Sequence, residues 1–176
     1  MSTTKWAVDA EHSEVAFKVK YMMFTNISGN FRKFDATIET DGDNFENAKI
    51  GFTADVESIT TGNEERDGHL LGEDFFETTK FPQITFKAGS FTKEKDNHYI
   101  LEGDLTLHGV TKPVKLDVEV GGISNDPWGS TKAGFSIEGK ISRKEWGLNY
   151  NSVLEAGGVL ISDEVKLAIE LQFTKQ

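Results

Sequence analysis

One stretch of the chain, TTGNEERDGHLLGEDFF at residues 60–76, holds the side chains best placed for chemistry. Arg66, Asp67 and His69 follow one another closely, and a histidine beside a carboxylate is a common general acid–base pair. The three residues lack a nucleophile, and they lack a second carboxylate arranged for acid–base work. We therefore expect no catalytic residue here. We interpret the stretch as a cover that packs on the fold, with ligand contact and catalysis as the alternatives.

The histidines do not form a metal site, and no cofactor is expected. They are scattered over predicted loops and strand ends, and no two are spaced by two or four residues, as metal ligands on one element would be. The chain contains no cysteine, so thiolate ligands and disulfides are excluded. The four histidines are His12, His69, His98 and His108.

The charge of the chain argues against two classes of partner. It has 19 basic and 29 acidic residues, a net charge of −10, and lysine and arginine do not cluster along the sequence. Nucleic acid requires a basic face and anionic lipid a polybasic patch, so we expect neither contact. No stretch approaches the ~20 apolar residues of a spanning helix, so no stable membrane insertion is expected. The N-terminus lacks an apolar signal core, which predicts a cytoplasmic protein, or a periplasmic one if a leader has been removed.

The elements that must position these side chains are strands. Eight segments alternate apolar and polar residues with a period of two, so each has one apolar face and one mostly polar face. In EVAFKVKY, for example, Val15, Phe17 and Val19 share one face, whereas Lys18 and Lys20 share the other. The eight segments are residues 14–21, 34–38, 48–56, 84–88, 99–107, 114–120, 133–141 and 165–173.

Strands with one apolar face are typical of antiparallel sheets that cover a core on one side. Helical periodicity is confined to residues 60–76, so no second layer is available and the sheet must form a sandwich or close on itself. Short polar connections such as EKDN and HGVTKP favour a meander over a Greek key. We predict an all-β fold: a lipocalin-like, eight-stranded antiparallel up-and-down barrel that forms a single domain over residues 1–176.

A short helix is predicted between the third and fourth strands. Asn63 is a good N-cap, and the acidic residues after it lie where the helix dipole favours anions. Apolar residues spaced by four positions form one face. The helix should lie over one end of the barrel, with Phe75, Phe76 and Phe81 forming its apolar underside.

An eight-stranded barrel is just wide enough to be filled by side chains or to hold one small ligand. The predicted inner face mixes phenylalanine with alanine and glycine, which leaves space unless the rings fill it, and it carries no charge in the best-defined segments. A long, thin apolar ligand would suit such a lumen. The predicted ligand-binding residues of the lumen and its mouth are Phe17, Val19, Tyr21, Phe52, Ala54, Phe75, Phe76, Phe86, Ala88, Gly103, Leu105, Phe135, Ile137, Arg143, Trp146, Tyr150, Leu167 and Ile169.

Two loops carry a tryptophan beside a glycine. Trp128 is predicted to anchor its turn by packing. Trp146 and Tyr150 lie in a long connection before the last strand, and their amphipathic rings suit the polar–apolar boundary of a lipid. Arg143 and Lys144 would lie near that boundary and could meet a phosphate or carboxylate head group. A packed lid with solvated charges is the alternative.

Four blocks of the sequence resemble, in order and spacing, the YceI-like family of polyisoprenoid-binding proteins. The resemblance runs from Trp6 to about Phe173 and implies a lipocalin-like eight-stranded barrel that binds a polyisoprenoid or another long-chain amphiphile without enzymatic activity. The sequence lacks the leader of exported members and the Gly-x-Trp of true lipocalins. The four blocks are WAVDAEHSEVAFKVKYMMFTNISGNF, ITTGNEERDGHLLGEDFFETTKFPQITF, GDLTLHGVTKPV and RKEWGLNY.

The resulting hypothesis is non-enzymatic binding, storage or transport of a polyisoprenoid or other long-chain lipid in the lumen. One alternative is an enzyme that acts on a lipid ester or pyrophosphate, with His69 or His108 as its base. The other is a filled barrel that acts through its outer surface or as a homodimer.

Overall fold

The alternating segments form strands in the computed structural model, which describes residues 3–151, 154 and 160–176. All pairings between neighbouring strands are antiparallel. The strands of the described residues are β1 (Thr3–Val8), β2 (Glu14–Tyr21), β3 (Thr25–Phe31), β4 (Phe34–Asp41), β5 (Asn44–Asp55), β6 (Ile59–Thr60), β7 (Gln83–Lys95), β8 (His98–Leu107), β9 (Val110–Asn125), β10 (Thr131–Ser142) and β11 (Ile161–Lys175).

These segments build eight barrel strands, of which the first three are each broken in the middle. β1 and β2 both pair with β11, β4 pairs with β1, and β3 pairs with β2. β5 and β6 continue the pattern beside β4 and β3. β7 to β11 follow as a meander, and the pairing of β1 and β2 with β11 closes the barrel. The predicted eight-stranded antiparallel up-and-down barrel is confirmed.

The predicted short helix is also confirmed. Helix α1 (Glu64–Leu70) lies between β6 and β7, which is between the third and fourth barrel strands. The Asn63 side chain accepts a hydrogen bond from the backbone N of Arg66 at 3.0 Å, as expected of an N-cap.

Three strands, β1, β3 and β6, are absent from the sequence-based prediction. β3 reads TNISGNF, and its inner face carries a glycine where a period-two pattern needs an apolar side chain. A Cβ at Gly29 would lie 2.5 Å from Cζ of Phe17, so the missing side chain makes room for that ring. The segments predicted as first and second strands, now β2 and β4, therefore do not pair with each other; β3 and β1 are their partners.

The barrel half built by β1 and β4, called the filled half below, is packed with aromatic rings. Trp6 is 1% exposed, its ring centroid lies 5.3 Å from that of Phe45, and its Nε1 donates to Oγ1 of Thr40 at 3.0 Å. Phe135 contacts both Phe45 and Phe173 edge to face. Edge-to-face pairs stabilise beyond the area they bury, so this half supplies much of the core.

The prediction that Trp128 anchors its turn by packing is wrong. Trp128 lies in the loop between β9 and β10, at the end of the filled half. Its side chain is 85% exposed and does not anchor the turn by packing. The carboxylate of Asp126 holds the turn instead, because its Oδ1 accepts from the backbone N of Trp128 and of Ser130, each at 2.9 Å. An Asx turn of this kind needs no indole contact.

The break between β1 and β2 is pinned to the neighbouring strands by Asp9. Its backbone N donates to the carbonyl of Gln172 in β11 at 2.7 Å. Its Oδ2 accepts from Nζ of Lys132 in β10 at 3.1 Å and lies 2.8 Å from Nδ1 of His12. The hydrogen bond with His12 is the largest cause that lowers the pKa of Asp9; burial opposes it and Lys132 adds to it.

We expect Asp9→Asn to lower the free energy of unfolding near neutral pH by about 1 kcal/mol. A carboxylate with a lowered folded-state pKa stabilises above its ordinary value of 3.8, and this contribution is lost as pH falls through the folded-state pKa. Urea unfolding of parent and variant at pH 7 and at pH 2 tests this. The difference should shrink at the lower pH, where the carboxylate becomes protonated, and a difference as large as that at pH 7 would contradict the role of the charge.

Candidate ligand-binding cavity

The other half of the barrel, built by β2, β3 and β6 and called the hollow half below, encloses a cavity of about 590 Å³. It opens at the barrel end where β2 turns into β3, because residues at its rim such as Tyr21, Asn63 and His69 are exposed. Strand side chains form its walls, α1 covers one side of its mouth, and residues 143–150 cover another. The lining is almost entirely apolar, which suits an apolar guest.

A second cavity of about 100 Å³ lies deeper, toward the filled half. Phe52, Leu105, Leu167 and Ile169 line both cavities and so form the boundary between them. A chain-like molecule that entered the larger cavity would meet these four side chains at its inner end.

Most of the side chains predicted for the lumen and its mouth line the larger cavity. Phe86, Phe135 and Ile137 line only the smaller one, and Ala88 and Gly103 line neither. Those that line the larger cavity are Phe17, Val19, Tyr21, Phe52, Ala54, Phe75, Phe76, Leu105, Arg143, Trp146, Tyr150, Leu167 and Ile169.

Gly103 shows why a small inward residue need not leave space. A Cβ there would lie 2.5 Å from the carbonyl oxygen of Lys87 and 2.7 Å from Cζ of Phe86. The ring of Phe86 therefore occupies the volume that the glycine leaves open. The sizes of the inward residues alone could not show whether the space beside Gly103 is filled by a ring or belongs to an open tunnel.

The cover predicted from residues 60–76 is held through Thr61, which sequence reasoning did not single out. Nε of Arg66 donates to Oγ1 of Thr61 at 2.8 Å, and its Nη2 donates to the Thr61 carbonyl at 2.8 Å. Asp67 Oδ1 accepts from the backbone N of Thr61 at 2.9 Å and from its hydroxyl. Arg66 and Asp67 thus both bind Thr61, and together they fasten α1 to the chain that leaves β6. Thr61 also lines the cavity.

The two histidines considered as bases lie in different places. His69 lies at the cavity rim, with Nε2 2.9 Å from Oδ2 of Asp74 and its ring 5.1 Å from those of Phe75 and Tyr150. His108 is not among the lining residues; its Nδ1 lies 3.0 Å from the carbonyl oxygen of Trp146. His69 therefore belongs to an aromatic cluster at the mouth, and His108 supports the loop that carries Trp146.

Arg143 is a cation buried in the cavity wall, with 4% of its surface exposed. Its guanidinium donates to the carbonyls of Leu148, Ser162 (3.0 Å) and Ile161 (3.4 Å). These bonds join the turn after β10 to the start of β11. No carboxylate among the described residues lies within 4.0 Å of the guanidinium.

The charges around Arg143 affect one another at a distance. Burial lowers the pKa of Arg143, and the charge of Asp163 raises it. Burial raises the pKa of Asp163, but hydrogen bonds from Ser142 and from the backbone N of Lys144, with the charges of Lys144 and Arg143, leave it lowered overall. Arginine keeps its proton under ordinary conditions, so Arg143 places a fixed positive charge in the wall of the cavity.

Trp146 closes the cavity from the loop side. It is 1% exposed, and its Nε1 donates to the carbonyl of Leu105 at 3.0 Å. Gly147 follows with φ 79°, the left-handed conformation that favours glycine, and Leu148 then turns back into the cavity wall. Ile27, Phe31 and Ile59 line the cavity but were not predicted, because each lies outside the eight alternating segments. Leu148 was not predicted either, although it lies in the same connection as Trp146 and Tyr150.

Within residues 3–151, 154 and 160–176, no group of three or more His, Cys, Asp or Glu side chains is placed to hold a metal ion. In the same residues, no helix has the length and apolar character needed to cross a membrane.

Comparison with known proteins places the fold and the sequence in one family. Residues 6–173 match the model of the YceI-like domain. A UPF0312 protein of Staphylococcus aureus (strain N315) is 38% identical over 172 residues, which are 97% of this chain and 98% of the relative. The structure of a Campylobacter jejuni YCEI protein is 32% identical, with a TM-score of 0.77 over 89% of this chain and 90% of that one. A polyisoprenoid binding domain from Saccharophagus degradans shares the fold at 18% identity, with a TM-score of 0.75 over 97% of this chain and 98% of that domain. This chain therefore belongs to the YceI-like domain family.

Proposed function

We propose that this protein binds a polyisoprenoid or another long-chain lipid in its hollow half and stores or carries it unchanged. The observation that carries the proposal is the apolar cavity of about 590 Å³, which reaches the surface at one end. Ligand sites of about 300–1,000 Å³ are typical of small-molecule binding proteins. The S. degradans domain of the same fold, a polyisoprenoid binding domain, supports the class of ligand.

The arrangement suits an amphiphile with its tail inside. Apolar burial stabilises such a complex by about 0.8 kcal/mol per methylene, partly offset by ordering of the chain. Arg143 lies in the cavity wall, and the other polar side chains of the lining lie mostly at the mouth; they are Lys20, Tyr21, Thr61, Asn63, Glu65, Arg66, His69 and Tyr150. A head group at the mouth would remain in water or bond to these residues, so the tail would carry most of the binding energy.

Binding without turnover fits the chemistry of the lining. His69 is the histidine that lines the larger cavity, and its Nε2 is already engaged with Asp74 at the exposed rim. Efficient acid–base or nucleophilic chemistry needs a base within hydrogen-bond reach of a positioned partner. An enzyme acting on a lipid ester or pyrophosphate is the second candidate, and His69 is the residue that favours it.

Native extraction followed by lipid mass spectrometry tests the proposal. We expect a long-chain lipid to co-purify at close to one molecule per protein. The purified protein should also return prenyl pyrophosphates and long-chain esters intact after incubation. Protein that carries no lipid and binds none of these probes would contradict the carrier. Release of pyrophosphate or fatty acid that disappears in His69→Ala would replace it with the enzyme.

A further inference from the structure

The turn between β2 and β3 exposes three consecutive large apolar side chains to water. Met22 is 40% exposed, Met23 54% and Phe24 82%, and Tyr21 beside them is 38% exposed. We call residues 22–24 the β2–β3 tip. Exposed apolar residues scattered singly are normal, but a contiguous group marks a surface that meets an apolar partner.

The backbone of the tip makes these residue types harder to explain as turn formers. Met22 has φ 52° and Met23 has φ 68°, so two adjacent residues adopt the left-handed conformation. Glycine and asparagine adopt it at little cost, whereas a long side chain does so less readily. Turn geometry therefore gives no reason for two methionines here, and the reason must lie in what their side chains contact.

A row of lysines lies beside the tip on the outer face of the barrel. Lys18 of β2 pairs directly with Lys166 of β11, and Lys166 pairs directly with Lys140 of β10. Lys20 is the next outward residue toward the tip, and all four are exposed. Like charges directly opposite one another on neighbouring strands destabilise a sheet. We call these four residues the lysine row.

The lysine row is poorly neutralised by the protein itself. Lys140 lies 3.9 Å from a carboxylate oxygen of Glu164. In the described part of the chain, Lys18, Lys20 and Lys166 form no ion pair within 4.0 Å. A protein with a net charge of −10 thus gathers positive charge on one face, next to its exposed apolar tip and the mouth of its cavity. The lysines come from three strands, β2, β10 and β11, and Lys140 and Lys166 lie far from Lys18 and Lys20 in the sequence, so no polybasic segment revealed the row.

We propose that the β2–β3 tip and the lysine row form a docking surface for an anionic lipid bilayer. The tip enters the headgroup region, and the lysines contact the negative surface around it. Shallow apolar insertion combined with lysine near anionic lipid is the usual basis of reversible peripheral binding. Tyr21 and Lys20 line the cavity, so this orientation places the cavity mouth against the membrane.

The acidic residues of α1 limit how the protein can lie. On the other side of the tip the sheet continues with β3 and β6, and α1 follows β6. The acidic residues of α1, which are Glu64, Glu65 and Asp67, therefore lie on that side. A negative surface repels them, so the barrel tilts toward β2, β11 and β10. The attraction is local, and the net charge of the whole protein keeps it weak and reversible. Docking concerns the outer surface and holds whether or not the cavity binds a lipid.

Sedimentation with vesicles tests the docking surface. We expect the protein to bind vesicles of phosphatidylglycerol mixed with phosphatidylcholine, and to bind phosphatidylcholine alone much less. The double variant Met23→Ser/Phe24→Ser should lower the partition coefficient about 10-fold by removing apolar insertion. Lys18→Glu/Lys166→Glu should lower it by about 10-fold or more, because two attractive charges become repulsive.

Matched controls come from the opposite end of the barrel. Trp128→Ser removes an aromatic side chain as exposed as Phe24, at 85% against 82%. Lys93→Glu/Lys95→Glu makes the same change of charge at the end of β7 in the filled half. Both controls should sediment with anionic vesicles as the parent does, and thermal unfolding should show all variants folded.

Three outcomes would overturn the docking surface. The parent could fail to bind anionic vesicles, or the control variants could lose as much binding as the tip and lysine variants. Alternatively, analytical ultracentrifugation could show a dimer of the parent that Met23→Ser/Phe24→Ser converts to a monomer. That last result would assign the tip to a second copy of the chain.

Discussion

Replacing both Ala54 and Val165 by phenylalanine should weaken the binding of a prenyl or long acyl probe by roughly 100-fold or more, while leaving a folded barrel. Both side chains line the larger cavity from separate strands, β5 and β11. Two rings projecting inward would exclude at least one five-carbon unit of the tail, which removes about 3–4 kcal/mol of apolar burial. Overpacking costs typically about 1–3 kcal/mol for each ring, and thermal unfolding shows whether the variant remains folded.

The double variant Ala16→Phe/Ala168→Phe is the matched control. Ala16 and Ala168 pair with each other across β2 and β11 and lie between inward residues, so their side chains face outward. The same two rings are added to the same sheet on its other face. Fluorescent-probe titration and thermal unfolding of both variants decide the matter. If the inward variant stays folded and binds the probe as tightly as the parent, the cavity is not the binding site.

Trp146→Ala should lower the free energy of unfolding by about 3–5 kcal/mol, the largest stability effect expected of a loop residue here. The indole is 1% exposed, and its removal leaves a void beside the cavity and deletes the hydrogen bond to the Leu105 carbonyl. Leu105 also lines both cavities, so its position should loosen as well. Urea unfolding of the protein measures the loss directly.

Two variants separate the causes of this loss. Trp146→Phe keeps an aromatic ring but not the N–H donor, so it should cost about 1–2 kcal/mol. Trp128→Ala removes the same side chain from a site that is 85% exposed, and it should change stability by less than about 0.5 kcal/mol. A loss at Trp146→Ala as small as that at Trp128→Ala would refute the closing role of Trp146.

The barrel was predictable because, in eight of its strands, the alternation of apolar and polar residues shows which face is turned inward. The eight alternating segments correspond one to one to β2, β4, β5, β7, β8, β9, β10 and β11. β3 could not be found by the same rule, since Gly29 has no side chain where Phe17 needs room. A hydrophobicity pattern shows which side chains can pack in the core. It does not show that a glycine leaves room for the ring of a neighbouring strand.

The candidate site was predictable only in part, for a related reason. Residues on alternating strands, such as Phe17 and Leu167, fall in the cavity lining as predicted. Gly103 does not, because the Lys87 carbonyl and the ring of Phe86 fill the space beside it, and its partner Ala88 in β7 does not line the cavity either. The lysine row depends on which distant strands become neighbours, and spacing along the sequence does not show this.

The strands in the wall of the hollow half do not pair with their neighbours along their whole length. β5 pairs with β7 only over residues 51–55, and in the described chain β6 pairs with β3 alone. Between β6 and β7 the wall consists of α1 and the segment after it, fastened through Thr61. Displacing α1 and the segment after it would break the bonds to Thr61 and the packing of Leu70, Leu71 and Phe76 on the core, but no strand ladder. We therefore expect the free energy of this local opening to lie below that of global unfolding. The backbone amides of α1 should accordingly exchange their hydrogens faster than those of the barrel strands, because this part of the wall can open while the strands stay paired.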